Sequence, residues 1–306
     1  MGASFAAKEF EPFRVQAGLD AGLTRHAMRA KRFSAPTAGV RAPRGFGHTV
    51  AERCASIALT LPHRAAFSHV TALRLLGIEV PWRLESDQAI HVVVPTRADR
   101  PQRDDVVAHV CLQRCLDIVS VRGLPVTSPA QTWLHLAGRL VPDDVVVLGD
   151  AMLRRKEPHT TLAELRRRVE STHKMRGVVA CREALERLRP GTDSTMETRA
   201  RLILDDAGIT DLAVNQPVYA EDGTFICLPD LSIPALKVAI EYDGDIHRTD
   251  PATWRRDVEK RQAMAEAGWV VVVATADDVN RHPDRLIRRV RAAIRRQSER
   301  RSTVSA

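Results

Sequence analysis

Apolar positions along the chain change period twice. In residues 12–33, Ala17, Leu19, Leu23, Ala27 and Met28 recur at helical spacing around Gly22. That pattern predicts two short helices joined by a tight turn, with Thr24 as the N-cap of the second. Pro36 to Gly47 is rich in proline and glycine and marks a boundary. From Val50 the period is again helical through Ile57, Leu59 and Ala66, and Ser68 is placed to cap a helix that reaches Leu76 and stops at Gly77. Ile90–Pro95, Val106–Val110 and Ile118–Val121 read as strands. After them Ser128 caps a helix with Pro129 at its first position, burying Trp133, Leu134 and Leu136. Two further helices are predicted over 143–155 and 161–188.

Pro190-Gly191 marks the second boundary. Beyond it the predicted order is helix (195–207), strands (215–220, 225–232, 236–243), helix (252–267), strand (269–275) and helix (283–297). Glu221-Asp222-Gly223 supplies a hairpin turn, and Asp250 and Gly268 bracket the helix that Pro251 opens. Val270-Val271-Val272-Val273 is continuously apolar, as expected where both faces of a sheet are covered. The fold class expected is α/β: a C-terminal mixed sheet flanked by helices, preceded by a mainly helical segment and an α+β middle domain. The expected boundaries are 1–48, 49–190 and 191–298, with 299–306 as a basic disordered tail.

Composition adds an electrostatic bias. The chain has 306 residues, 44% hydrophobic and 27% charged, with a net charge of +8. A polyanionic partner follows from that excess, although arginine-rich, alanine-rich coding produces some of it without selection for binding. The positive charge is concentrated near the end of the chain, where Arg285, Arg288, Arg289, Arg295 and Arg296 face only Asp284 and Glu299. No apolar run approaches the roughly 20 residues that cross a bilayer, and the N-terminus does not read as a signal peptide, so no membrane partner and a cytoplasmic location are expected. Five cysteines are scattered without a CxxC pair. His109, Cys111 and Cys115 lack a nearby fourth ligand and read as a strand edge with free thiols rather than a zinc site. The middle region shows no dense group of Asp, Glu, His and Lys, and reads as scaffold or binding module.

The candidate chemistry lies in the last third. Pro229-Asp230 is read as the end of the second strand, Glu241-Tyr242-Asp243-Gly244 as the end of the third, and Glu197 lies in the first turn of the preceding helix. Strand alternation sends Val238, Ile240 and Tyr242 one way, and Ala239, Glu241 and Asp243 the other. Two carboxylates on one face beside Asp230 repel unless a cation or a proton intervenes. Hard oxygen ligands of this kind suit Mg²⁺, with Mn²⁺ as a substitute, so Asp230, Glu241 and Asp243 are the expected metal ligands. Each residue has a plainer reading. Ser194-x-x-Glu197 is a capping box, Asp230 and Asp243-Gly244 suit turns, and Arg255, Arg256 and Lys260 suit a solvated helix face.

Leu236-Lys237-Val238-Ala239-Ile240-Glu241-Tyr242-Asp243-Gly244, then His247, Trp254-Arg255-Arg256-Asp257 and Ala267-Gly268-Trp269-Val270, resemble one known family. It is that of the compact endonuclease-like domains related to very short patch repair (Vsr) endonucleases, within the PD-(D/E)XK superfamily. The resemblance covers about 100 residues. It implies a restriction-endonuclease-like fold, Asp230 as the Asp of the PD element, Glu241 as the opening of the (D/E)xK element, and Glu197 as the acidic residue of the first helix. Asp243 stands where most of that superfamily has lysine, and His247 becomes the implied general acid or base. Arg256 and Lys260 are expected to contact nucleic acid. The zinc-binding cysteines of the repair enzymes have no counterpart here, so mismatch repair is not implied.

Phe67-Ser68-His69-Val70-Thr71-Ala72-Leu73 and Gly123-Leu124-Pro125-Val126-Thr127-Ser128-Pro129-Ala130-Gln131-Thr132-Trp133 resemble AbiEi-type antitoxin and regulator proteins. That resemblance implies an N-terminal winged helix on DNA. Thr24, Arg25, His26, Arg29 and Lys31 would lie on its exposed second helix, and residues 39–43 would form the wing. An ordinary αα-hairpin with a solvated basic face fits the same spacing. The expected activity is metal-dependent hydrolysis of DNA phosphodiesters. The alternatives are a non-catalytic DNA-binding regulator of AbiEi type and a protein-interaction module with a toxin–antitoxin or defence-system partner.

Overall fold

A computed structural model describes residues 11–113, 116–244 and 251–304 of the chain, with the backbone alone for 251–257 and 304. It is a mixed α/β protein. In chain order the first elements are β1 (Phe13–Arg14), α1 (Val15–Asp20), β2 (Phe33–Ser34), β3 (Val40–Pro43), α2 (Val50–Ala58), β4 (Ala66–Phe67), α3 (His69–Leu76) and β5 (His91–Val94). There follow β6 (Val107–Val110), β7 (Ile118–Val121), β8 (Leu124–Thr127), α4 (Pro129–Ala137), α5 (Pro142–Met152), α6 (Leu162–Glu170) and α7 (Val178–Arg187). The rest are α8 (Thr195–Asp206), β9 (Ala213–Val214), β10 (Val218–Tyr219), β11 (Phe225–Cys227), β12 (Leu231–Ile233), β13 (Val238–Asp243), α9 (Pro251–Glu266), β14 (Val270–Thr275), α10 (Ala276–Asn280) and α11 (Pro283–Val304).

Two compact units result. The first is Met1–Leu140 with Ala163–Arg182, the second Val141–Leu162 with Glu183–Ala306. The expected boundary at Pro190-Gly191 therefore does not mark where the second unit begins. Val141–Leu162, which contains α5, belongs with the C-terminal part, because Asp144 and Asp150 of α5 pair with Arg199 and Arg201 of α8 at 2.7 and 2.9 Å.

In the first unit, β1, β3 and β2 form an antiparallel sheet with β3 in the centre. Phe13, Val40 and Ala42 are buried in it. The second of the two helices expected in 12–33 is a single 3-10 turn, Ala27–Arg29. Thr24 does act as a cap, its hydroxyl accepting from the Ala27 amide at 3.1 Å. The chain is then drawn into β2, which leaves no length for a recognition helix, and residues 39–43 form the central strand rather than a projecting wing. A five-stranded sheet in the order β6-β5-β4-β8-β7 follows. Phe67, Ile90, Val92 and Val126 pack on one of its faces with Cys54 and Ile57 of α2 and Ala72 of α3. Ala66, Val93 and Cys111 cluster separately. Ser128 caps α4 as expected, accepting from the Gln131 amide at 3.1 Å. Gly77 ends α3 in the left-handed conformation.

In the second unit the sheet order is β14-β13-β12-β9, with β13 and β14 parallel and the other pairs antiparallel. Val238 and Ile240 of β13 join Ala200 and Leu204 of α8 and Leu286, Val290 and Ala293 of α11. Ala239 joins Met264 of α9, Cys227 and Val218. The alternation along β13 thus divides two cores, one on each face. The expected strand 225–232 is two strands: β11 closes the β10–β11 hairpin, and β12 pairs with β13. Pro229, which has no amide hydrogen to offer a ladder, sits at the break. The helix 161–188 is likewise interrupted, between α6 and α7. The segment expected to be a disordered tail is helical through Val304, because α11 continues past its buried stripe as an exposed basic helix. Among the described residues no helix is long and apolar enough to cross a membrane.

Candidate functional site

Four elements of the second unit meet at an acidic centre. Glu197 lies in the first turn of α8, where the Ser194 hydroxyl accepts from the Glu197 amide at 3.2 Å. Its own carboxylate does not return to Ser194 as a complete capping box requires. It accepts from the Asp193 amide at 2.9 Å and the Thr192 hydroxyl at 3.3 Å, and the residue is buried. Asp230 immediately precedes β12, rather than ending a strand. Since Leu231 pairs with Ile240 in an antiparallel ladder, Asp230 is brought to the Glu241 end of β13. Its Oδ2 accepts from the Tyr242 amide at 2.7 Å.

Burial, together with the Glu197 and Glu241 carboxylates, pushes Asp230 up to about 7, against the opposing pull of the Tyr242 amide and Lys260. Near neutral pH this carboxyl therefore exchanges a proton. Glu241 carries an ion pair to Lys260 Nζ of α9 at 2.5 Å. Burial draws Lys260 down, but Glu241, with Cys227 and Asp230, outweighs it, and the ammonium is held above its ordinary value. A lysine therefore reaches Glu241 from a different element of the unit. Lys260, expected on a nucleic-acid surface, instead neutralises the acidic centre.

Asp243 closes β13 in register with Thr275 of β14 and lies two positions along the strand from Glu241. It is partly exposed. His247 lies outside the described residues, as do the side chains of Arg256 and Asp257. Arg25 and Arg29 are exposed in the first unit, on a turn and the 3-10 turn rather than along a helix face. Among the described residues no group of three or more His, Cys, Asp or Glu side chains is arranged to hold a metal ion. The chemistry of the donor set nonetheless suits a hard cation: the neighbouring carboxylates raise the proton affinity of Asp230, and a divalent ion relieves that repulsion as well as a proton does.

The surroundings divide the charge. Between the β10–β11 hairpin and α9 lies a groove of about 680 Å³ walled by Glu221, Asp222, Glu259, Lys260 and Glu266. Its acidic wall is unsuited to a phosphate backbone. The positive surface is on α11, where Arg288, Arg295, Arg296, Arg300 and Arg301 are exposed. Two groups escaped sequence reasoning here. Arg201, 2% exposed, pairs with buried Asp150 at 2.9 Å and with Asp205 at 2.8 Å. Gln297 is buried and donates to the Lys237 and Gly268 carbonyls at 3.1 and 2.8 Å, tying α11 to the strand entrances. A polar residue on the apolar stripe of α11, one turn after Ala293, was the available signal for the second.

The structure defines the class as a mixed α/β protein whose C-terminal unit holds a partly buried carboxylate–lysine cluster at its sheet. The chain is 31% identical over 225 residues to uncharacterized protein Rv2248 and equally to uncharacterized protein MT2308, from two strains of Mycobacterium tuberculosis. The match covers 72% of this chain and 78% of each relative, and the chain belongs to the family of these mycobacterial proteins. No family model matches the chain, and no solved structure matches it.

Proposed function

We propose that the second unit is a Mg²⁺-dependent DNA endonuclease of the PD-(D/E)XK kind, with Mn²⁺ able to substitute. One observation carries the reading: Glu197, Asp230, Glu241 and Lys260 converge from α8, the start of β12, β13 and α9, and burial with like charge brings Asp230 to about 7. Asp230 and Glu241, with Asp243 beside them, are the residues that would hold the ion. When bound, it would polarise the scissile phosphate and acidify the attacking water. Lys260 fixes the Glu241 carboxylate and keeps positive charge where the phosphate charge develops. Without the ion a proton relieves the charge at Asp230, and the ion would displace that proton on binding. Glu197 holds the Thr192 hydroxyl and the Asp193 amide and keeps negative charge behind Asp230. His247 is the proposed general acid or base, by resemblance alone.

The test is nicking of supercoiled plasmid by the purified full chain with Mg²⁺. Activity is expected to disappear in Asp230→Ala and Glu241→Ala. Absence of cleavage on any nucleic acid with either ion rejects the proposal.

A second reading, a non-catalytic DNA-binding regulator of AbiEi type, is favoured by the Lys260–Glu241 pair, which already neutralises the carboxylate a metal would need. It predicts metal-independent, salt-sensitive gel shifts that survive Asp230→Ala and fail in Arg25→Ala with Arg29→Ala.

A further inference from the structure

The first unit contains a cluster that the acidic centre does not use. His69 at the start of α3, His91 of β5, His109 of β6 and His135 of α4 form a stack whose ring planes lie between 17° and 29° of one another. The His69 ring centroid is 3.7 Å from that of His109 and 5.1 Å from that of His135. His91 Nε2 is 3.0 Å from Asp87 Oδ1, and His91 Nδ1 is 2.9 Å from His109 Nε2. Partial burial opposes ionisation of Asp87, but His91 and Arg139 outweigh it and hold the carboxyl below its ordinary value. His91 thus bridges the Asp87 carboxylate and the His109 ring. Burial, first, and the neighbouring charges hold His109 at about 4, so at neutral pH its ring is uncharged. Among the described residues these groups are not arranged to hold a metal ion.

His69, His109 and His135 line a cavity of about 580 Å³, a volume typical of small-molecule sites. Arg139, Lys174 and Arg176 line it as well. Arg139 is held on Asp87 at 2.9 Å, whereas among the described residues Lys174 and Arg176 have no ion pair. The loop that carries these two cations is pressed against the end of α4. A Cβ on Gly177, at φ +89°, would lie 2.3 Å from the Gly138 amide nitrogen, and one on Gly138 would lie 2.7 Å from Arg176 Cγ. Only glycine at both positions permits that approach. His69 itself is placed in the stack with φ +53°, a left-handed conformation that a non-glycine residue keeps at an energetic cost. His135 is buried, and among the described residues its Nδ1 has no hydrogen-bond partner.

We propose that this cavity binds a nucleoside monophosphate. The base would continue the imidazole stack on His109, the one ring of the four that is not buried. The phosphate would meet Arg139, Lys174 and Arg176. Planar rings of neutral imidazole favour stacking with any nucleobase face, and a cationic rim favours a phosphate over an uncharged nucleoside.

The test is calorimetric titration of the full chain with AMP, GMP, CMP and UMP, and with adenosine and inorganic phosphate as controls. At least one nucleotide is expected to bind with a Kd of about 100 µM or tighter, and both controls at least about tenfold more weakly. Lys174→Ala with Arg176→Ala, at exposed positions that do not threaten the fold, is expected to weaken nucleotide binding at least about tenfold, and His109→Leu likewise. Glu241→Gln is expected to leave it unchanged, which separates this cavity from the acidic centre. The proposal is overturned if no nucleotide saturates below about 1 mM, if inorganic phosphate binds as tightly as the nucleotide, or if the Lys174/Arg176 variant binds normally.

Discussion

Replacing Asp230 by Asn tests the electrostatics on which the acidic centre depends. Burial and the two neighbouring carboxylates raise Asp230 from 3.8 to about 7. The folded state therefore binds this proton more tightly than the unfolded chain does. Ionised Asp230 opposes folding above pH 7, and the stability is recovered as pH falls from about 7 toward 4. The gap corresponds to about 4 kcal/mol, which partial solvent screening at this half-buried position reduces to about 2 kcal/mol. Asn keeps an oxygen for the Tyr242 amide, bonded at 2.7 Å in the native protein, while removing the charge. In a metal-chelating buffer at pH 8, Asp230→Asn is thus expected to be more stable than the native protein by about 2 kcal/mol, and its stability is expected to vary less between pH 8 and 5. Hydrogen exchange of peptides spanning β12 and β13, corrected for intrinsic rates, reads the local value. Faster exchange in the variant than in the native protein at pH 8 refutes the reasoning. The same variant is expected to lose plasmid nicking, so stability and activity move in opposite directions.

Arg201→Met is expected to destabilise the second unit by about 3–5 kcal/mol, since it strands the buried Asp150 carboxylate, and Asp150→Asn added to it recovers much of the loss in urea melts. A loss below about 1 kcal/mol contradicts a buried pair. Gly177→Ala, forced to φ +89° with its Cβ against Gly138, is expected to lower the first unit's stability by about 1–3 kcal/mol, read from the midpoint of thermal unfolding. Arg295→Ser with Arg296→Ser is expected to weaken DNA binding and flatten its dependence on salt by about one unit of slope for each phosphate that is no longer neutralised. An unchanged slope removes α11 from the interface.

Much of the local architecture was legible because its causes act within a few residues. Ser128 and Pro129 open α4, Gly77 stops α3, and the Glu221-Asp222-Gly223 turn closes β10 onto β11, each through chemistry that a short window contains. The alternation at Ala239 and Glu241 against Val238 and Ile240 identified which side chains of β13 share a face, and both cores follow it. Where prediction failed, a neighbour outside the window decided. In 12–33 the helical spacing produced α1, but the second helix shrank to one 3-10 turn, and the two ends of the segment pair with β3 in a sheet. Pro229 was visible in the sequence, yet that it would break one strand into two partners for different sheets was not.

The chain's own order of residues was enough to establish an α/β protein with an acidic centre at Asp230 and Glu241, because hydrophobic period, caps and turns are local properties. Only the tertiary structure could bring Lys260 to Glu241, Arg201 to Asp150, and His69, Asp87, His91, His109 and His135 into one cluster. Those meetings depend on sheet register and on which helix covers which face. Except for Asp87 and His91, four positions apart, the partners lie 18 or more positions apart, and their encounter energies exist only once the cores between them have closed.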